Sequence, residues 1–239
     1  MVGSLLLRGM LAGLLAGLLA AAFGALAGEP SIERAIAYES AAAQAAGEPP
    51  EPEIVSRDVQ RGPGLFAAAM VYGAALGGFF GLAFAFAHGR IGGGDPRAVA
   101  ALLATAGFVA LALAPALKYP ANPPAIGAAD TIGARTALFF IMMFASLTAM
   151  ILAAATGRNL AARFGAWRGA LTGVVVFVTA ALFAGVLLPS VNEVPADFPA
   201  DLLWRFRLAS LGTQAVLWSA IGFGFALLTP TARHLSASD

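Results

Sequence analysis

The side chains able to do chemistry in this 239-residue chain lie outside its long apolar runs. There is no cysteine, which removes disulfides, thiolate metal sites and cysteine nucleophiles. His88 and His234 each follow the end of an apolar run, a position that suits an interfacial side chain better than a metal ligand. Met142, Met143 and Met150 could offer thioethers to a soft metal, although their apolar setting suits packing. No glycine-rich loop ends in Lys-Ser/Thr, no HExxH or GxSxG occurs, and no acid or base falls centrally in an apolar run. These absences argue against an enzyme, against an ATP-binding subunit and against a resident cofactor. Nothing points to nucleic acid.

Chemistry concentrates in LKYPANPPAIG, Leu117–Gly127, which closes an apolar run. Pro120, Pro123 and Pro124 have no N–H, and each biases the residue before it towards extended backbone. A helix ending here leaves carbonyls around Leu117 to Asn122 without helical partners. At membrane depth such carbonyls must face protein, water or a cation. Together with the Asn122 amide and the Tyr119 hydroxyl they would form an oxygen-rich site for a hard or borderline cation. Lys118 opposes that reading while protonated; it would instead pair with an acid such as Asp130 or extend towards the interface. A structural loop and a cation site are both open readings of these residues.

The elements that must position this loop are spanning helices. The chain is 59% hydrophobic and 11% charged, with mean hydropathy +0.82, more apolar than a soluble domain requires. Leu5–Ala27, Leu65–Ala87, Ala98–Leu117, Thr136–Thr156, Gly169–Leu188 and Leu208–Thr229 run free of charge apart from Arg8 near the start of the first. Each has the roughly 20 residues that cross a ~30 Å hydrocarbon core. Their Ala, Leu and Gly content favours helices, and alternating barrel strands are absent. The expectation is an all-α integral membrane protein, a polytopic bundle of six transmembrane helices forming one membrane domain over 1–239. Ala25-Leu26-Ala27 resembles a signal-peptidase site. The run before it is longer than a roughly 7–15-residue signal core and Arg8 is its only basic side chain, so a retained first helix is expected.

Six crossings put the N-terminus, 88–97, 157–168 and the C-terminal tail on one side. Seven basic residues fall on each side. The acid-free loop holding Arg158, Arg163 and Arg168 places the first side, with both termini, in the cytoplasm. The opposite side carries Glu29, Glu33, Glu39, Glu48, Glu51, Glu53, Asp58, Asp130, Glu193, Asp197 and Asp201, an electronegative outer face. Segment 28–64 is the long exported loop. Ser31 would cap a short helix to about Ala46, with Glu33 in its first turn and Ile32, Ala35, Ile36 and Glu39 along one stripe. Gly47–Glu53, GEPPEPE, reads as extended polyproline II. This segment is either a linker with a surface helix or an acidic arm that gathers cations.

Within the apolar runs the clearest pattern is packing. Gly9, Gly13 and Gly17 repeat at intervals of four in the first run, and Gly73, Gly77 and Gly81 do so in the second. Gly165, Gly169 and Gly173 do so in the fifth, with Gly165 expected in the preceding loop. Such ridges let backbones approach closely.

GEPSIERAIAYE (Gly28–Glu39), SRDVQRGPGL (Ser56–Leu65), LKYPANPPAIG, TIGART (Thr131–Thr136) and WRFRLAS (Trp204–Ser210) occur in this order. Together they resemble the CbtA family of predicted cobalt transporter subunits, across nearly the whole chain. The resemblance implies cobalt uptake through a bacterial inner membrane, serving cobalamin synthesis. It also implies a small single-span partner, CbtB, bearing a histidine-rich metal motif. The family is described with about five spans, one fewer than the count here. The transferable motif positions include Glu29, Pro30, Glu33, Ser56, Arg57, Gln60, Lys118, Tyr119, Pro120, Asn122, Pro123, Pro124 and Arg135. A histidine-bearing partner would explain why a chain that moves Co2+ holds no intramembrane histidine. The expectation is a membrane-embedded uptake subunit, alone or as a homo-oligomer in the lipid bilayer, with Lys118–Pro124 at the outer mouth and acidic 28–64 close above. A non-transporting membrane scaffold or assembly factor is the alternative.

Overall fold

The computed structural model describes residues 2–47, 54–91 and 95–229. Most of the expected polyproline stretch, with Glu48, Glu51 and Glu53, lies outside the described residues, as do Arg233 and His234. The described chain is all-α: α1 Val2–Ala27, α2 Glu29–Ala46, α3 Arg57–Val59, a kink over Gln60–Gly64 where Gly62 leaves the helical conformation, and α4 Leu65–Ala87. These are followed by α5 Pro96–Phe108, a π turn at Val109–Leu113, α6 Ala114–Lys118, α7 Ile132–Phe164, α8 Ala166–Leu187 and α9 Ala200–Leu228. Six helical segments among the described residues are long and apolar enough to cross a membrane, with α3 through α4 and α5 through α6 each counting as one. The expected polytopic helical architecture is what the chain adopts.

The helices outrun the apolar runs. The segment 157–168, read as a loop, is helical except at Gly165, where φ +91 breaks the chain between α7 and α8. Arg158, Leu160, Ala161, Ala162 and Arg163 are good helix formers that outweigh Asn159, so α7 does not stop when the apolar run ends. Its 33 residues span about 50 Å, well beyond a bilayer core of ~30 Å. Likewise α9 begins at Ala200 and takes in the WRFRLAS motif.

Ser31 is not a cap. The Gly28 N–H still donates to the Gly24 carbonyl at 2.8 Å, and α2 restarts at once from Glu29. Pro30 occupies the first turn, where its missing N–H costs nothing. Ser31 is thereby carried inside the helix and buried, with Ala35 one turn on. The stripe through Ile32, Ala35 and Ile36 does face inward, whereas Glu39 is exposed. Left-handed Gly47 closes the helix, its N–H donating to Gln44 at 3.1 Å.

The chain divides into two compact units. The first comprises Met1–Thr105, Pro123–Ala125 and Pro199–Asp239; the second comprises Ala106–Asn122 and Ile126–Phe198. In the first, α1 and α4 run antiparallel with their glycine ridges interlocked. A Cβ built on Gly9, Gly13 or Gly17 would overlap the carbonyl oxygen of Gly77, Gly73 or Ala69 respectively. The reverse holds for Gly73, Gly77 and Gly81 against Gly13, Gly9 and Leu5. Hydrophobic burial does not drive association in lipid, so this backbone-to-backbone approach supplies the dispersion and Cα–H···O contacts that do. The neighbouring face of α1 takes α9, with Ala12 against Gly224 and Phe23 against Gly212. Phe225 packs between Phe80 and Phe84, with ring centroids 5.2 and 4.7 Å away.

In the second unit α7 and α8 pair antiparallel through Gly157 against Gly169, and Ala153 against Gly173. Gly165 stands outside this ridge, as its place in the interhelix break requires. Met142 is buried on the face that also holds Ser146, Ala149, Ala153 and Gly157, so it packs rather than presents a thioether. The π turn has a legible cause. Ala114 donates its N–H to Val109, and Pro115, the next donor position, has none. The fully buried Ala110 carbonyl therefore has no backbone donor. The Ser146 hydroxyl, itself fully buried, donates to it instead.

Candidate functional site

The motif residues fall into two polar clusters, one in each unit. In the second unit Lys118 ends α6 and Tyr119 leaves the helix at φ −127, its N–H still bonded to Pro115 at 2.8 Å. The helix end is therefore better satisfied than the prolines alone suggest. The Tyr119 hydroxyl donates to the Pro189 carbonyl at 2.7 Å, and Lys118 Nζ lies 3.4 Å from Ser190 Oγ and 5.8 Å from the Tyr119 ring centre. Poor solvation raises the Tyr119 pKa, moving its titration further from neutral pH, where the hydroxyl is in any case protonated and able to donate. The expected Lys118–Asp130 pair is not formed; Asp130 sits exposed in a 3-10 turn, Ala129–Thr131. Asn122 is half-buried within the loop and Pro123 is buried.

Beyond the prolines the loop is gripped by Glu193. One carboxylate oxygen accepts the Ala128 N–H at 3.1 Å and the Thr131 hydroxyl at 3.0 Å, and faces Arg135 Nε at 3.3 Å. That last approach is an ion pair without hydrogen-bond alignment, since Arg135 Nε is buried and lacks a well-directed acceptor. Arg135 Nη2 donates to the Ala128 carbonyl at 3.1 Å. Gly127, at φ +105, holds the turn beneath the Arg135 guanidinium, which occupies the place a side chain would need. Ala125 has φ +70, a left-handed conformation that few alanines adopt.

In the first unit Arg57 pairs with Glu29, and Arg61 bridges Glu33 at 3.1 Å and Asp58 at 2.7 Å. Arg34 on α2 reaches Asp201 at the start of α9 at 3.3 Å. The Glu29 and Arg57 side chains are 12% and 26% exposed, so this pair is far less screened than its half-exposed neighbours. Of the described acids that the sequence reading put on the outer side, Glu29, Glu33, Asp58, Glu193 and Asp201 all pair with arginine, which offsets their negative charge locally. Glu39, Asp130 and Asp197 have no ion pair among the described residues.

Thus Glu29, Glu33 and Arg57 are brought together in one unit, and Lys118, Tyr119 and Arg135 share a loop system in the other. Sequence reading missed Pro189, Ser190 and the bracing role of Glu193, because partners some 70 residues away carry no local signal. Among the described residues no group of three or more His, Asp or Glu side chains could hold a metal. His88 caps α4, exposed and stacked on Phe84.

No curated protein and no solved structure matches the chain. A family model described as "Probable cobalt transporter subunit (CbtA)" matches residues 2–230. That match takes in every spanning helix and both polar clusters, and a family of transporter subunits implies a partner subunit. The protein belongs to the CbtA family, a multi-pass membrane family of probable cobalt transporter subunits.

Proposed function

We propose that the protein is the membrane-embedded subunit of a cobalt uptake system in a bacterial inner membrane. It acts as one membrane domain over 1–239, with both termini cytoplasmic and 28–64 exported. The observation that carries this reading is the family match over 2–230 on a chain with six crossing-length helices. Co2+ is the transported substrate. A small single-span CbtB-like partner supplies the histidines this chain lacks in its spans. The energy comes from the membrane potential or from another protein.

Lys118, Tyr119 and Asn122 form part of the outer mouth. What supports this is rigidity: the Tyr119–Pro189 hydrogen bond and the Glu193 contacts hold the loop in one conformation, as a selective entrance requires. Lys118 stands there as a fixed positive charge that gates entry rather than as a ligand. Cobalt accumulation in cells lacking other cobalt importers tests both levels. Expression should confer metal-dependent uptake, whereas a stoichiometric complex with a partner and no flux would favour a scaffold. Asn122→Ala should cut uptake with protein levels intact, and Lys118→Ala should change both uptake and its salt dependence. Parental uptake by both variants at parental abundance would make the loop merely structural.

A further inference from the structure

The α7–α8 hairpin carries no acid anywhere between Asp130 and Glu193. Its tip nevertheless gathers Arg158 and Arg163 on α7 and Arg168 on α8, all exposed and none with an ion pair among the described residues. Elsewhere Arg34, Arg57, Arg61 and Arg135 each meet a carboxylate. Helix chemistry accounts for only one of the three. Arg163 lies in the last turn of α7, where the helix dipole favours a cation, whereas Arg168 lies in the first turn of α8, where the dipole opposes one. Two large rings share the tip, Phe164 at 57% and Trp167 at 78% exposed.

Depth decides what these side chains meet. Gly169 packs on Gly157 and Ala161, so the apolar runs ending at Thr156 and starting at Gly169 stop at a similar height. With a rise of about 1.5 Å per residue, Arg158, Trp167 and Arg168 lie within about 3 Å of those ends, and Arg163 about 10 Å beyond. The headgroup layer on each side of the hydrocarbon is about 5–8 Å thick, so the long side chain of each arginine reaches phosphate from where it stands. Trp167 is at the depth where tryptophan anchors a span.

We propose that Arg158, Arg163 and Arg168, with Trp167, form a binding site for the phosphates of anionic phospholipids in the leaflet that the tip enters. Occupancy fixes the depth of the hairpin, whatever the chain transports. An acidic protein would need the arginines clear of the headgroups, whereas Arg158 and Arg168 start inside that layer.

The test uses the full chain in detergent, with phosphatidylglycerol as the probe and bound lipid counted by native mass spectrometry. Arg158→Gln, Arg163→Gln and Arg168→Gln should each weaken phosphatidylglycerol binding about fivefold, and the triple variant about a hundredfold, with phosphatidylcholine binding unchanged. Arg205→Gln, which alters an exposed arginine on α9, should bind as the parent does. The three tip arginines have no ion pair to lose, so melting without lipid should stay at the parental temperature. Replacing all three by lysine should keep most of the binding. Parental affinity in the triple glutamine variant overturns the proposal. So does an equal loss in Arg205→Gln, a loss that merely follows a lower melting temperature, or displacement of the lipid by inorganic phosphate at equal phosphorus concentration. A second measurement leaves the arginines in place. The chain has no cysteine, so Ala162→Cys, exposed on α7, can carry a polarity-sensitive dye at the tip. Its emission should shift to the blue in nanodiscs containing phosphatidylglycerol relative to phosphatidylcholine alone, and high salt should reduce the shift. The same emission in both bilayers also overturns the proposal.

Discussion

Ser146 is the residue whose role is most sharply defined by its surroundings. Its hydroxyl serves a carbonyl that two neighbours have abandoned: Ala114, whose N–H is committed to Val109, and Pro115, which has none. Ser146→Ala should therefore cost about 1–3 kcal/mol, the penalty for a buried acceptor left unmet. Pro115→Ala restores an N–H at the position that donates to Ala110 in the π register. Combined with Ser146→Ala it should recover most of the loss, as read from melting in detergent. Equal destabilisation in single and double variants would mean that the hydroxyl does not serve that carbonyl. Little of this was legible beforehand. Pro115 is visible as a helix irregularity, but the serine that answers it lies 31 residues further on and looks like any small residue on a packing face.

At the scale of elements, the glycine ridges were legible and their partners were not. A four-residue glycine repeat declares that a face must be approached closely, but periodicity within one helix is silent about what approaches it. The structure adds that α1 and α4 serve each other, carbonyl against Cα, so the tolerance is near zero. Gly13→Leu or Gly77→Leu should destabilise the protein by at least about 1–3 kcal/mol in detergent melting, since the atom met is backbone and cannot rotate aside. Gly185→Ala, which meets open space on α8, is the matched control and should melt with the parent. Equal melting of all three would place the α1 ridge against lipid. Helix ends were less legible than helix centres. The apolar run stops at Thr156 because the hydrocarbon stops, yet α7 continues to Phe164 because Arg158, Asn159 and Arg163 tolerate a helix. At Gly28–Pro30 the error ran the other way: Ser31 has the chemistry of a cap, but Pro30 had already claimed the first turn.

For the whole molecule, composition alone carried the architecture, because six long apolar runs leave few alternatives to six crossings. Orientation depends on finer accounting, and the helical extension of α7 alters it. Arg158 and Arg163 are not spread over a loop but ride on a rigid helix end, with Arg168 just beyond Gly165. A stiff basic collar of this kind suits the cytoplasmic surface. Reporter fusions after Gly47 and after His88 should accordingly give opposite signals, with the Gly47 fusion outside. Matching signals would remove the six-crossing arrangement. The loop partners behave differently from the spans. Tyr119 meets Pro189 and Arg135 meets Glu193 only because separate helix ends converge, so no local reading of LKYPANPPAIG could have named them.

The π turn at Val109–Leu113 also carries a consequence for chain length. A π turn holds one residue more than the α spiral needs, so it behaves as an insertion absorbed in place. Deleting Leu111 would let the segment close in the α register while the faces beyond it keep their direction. A deletion elsewhere in a spanning helix would turn everything downstream by about 100°. Pro115 would then stand four residues after Ala110, lacking an N–H and with its ring crowding that carbonyl, so the helix would kink there and Ser146 would keep its acceptor. The loss of that one residue would thus leave the faces of this span where they are, at the cost of a kink at Pro115.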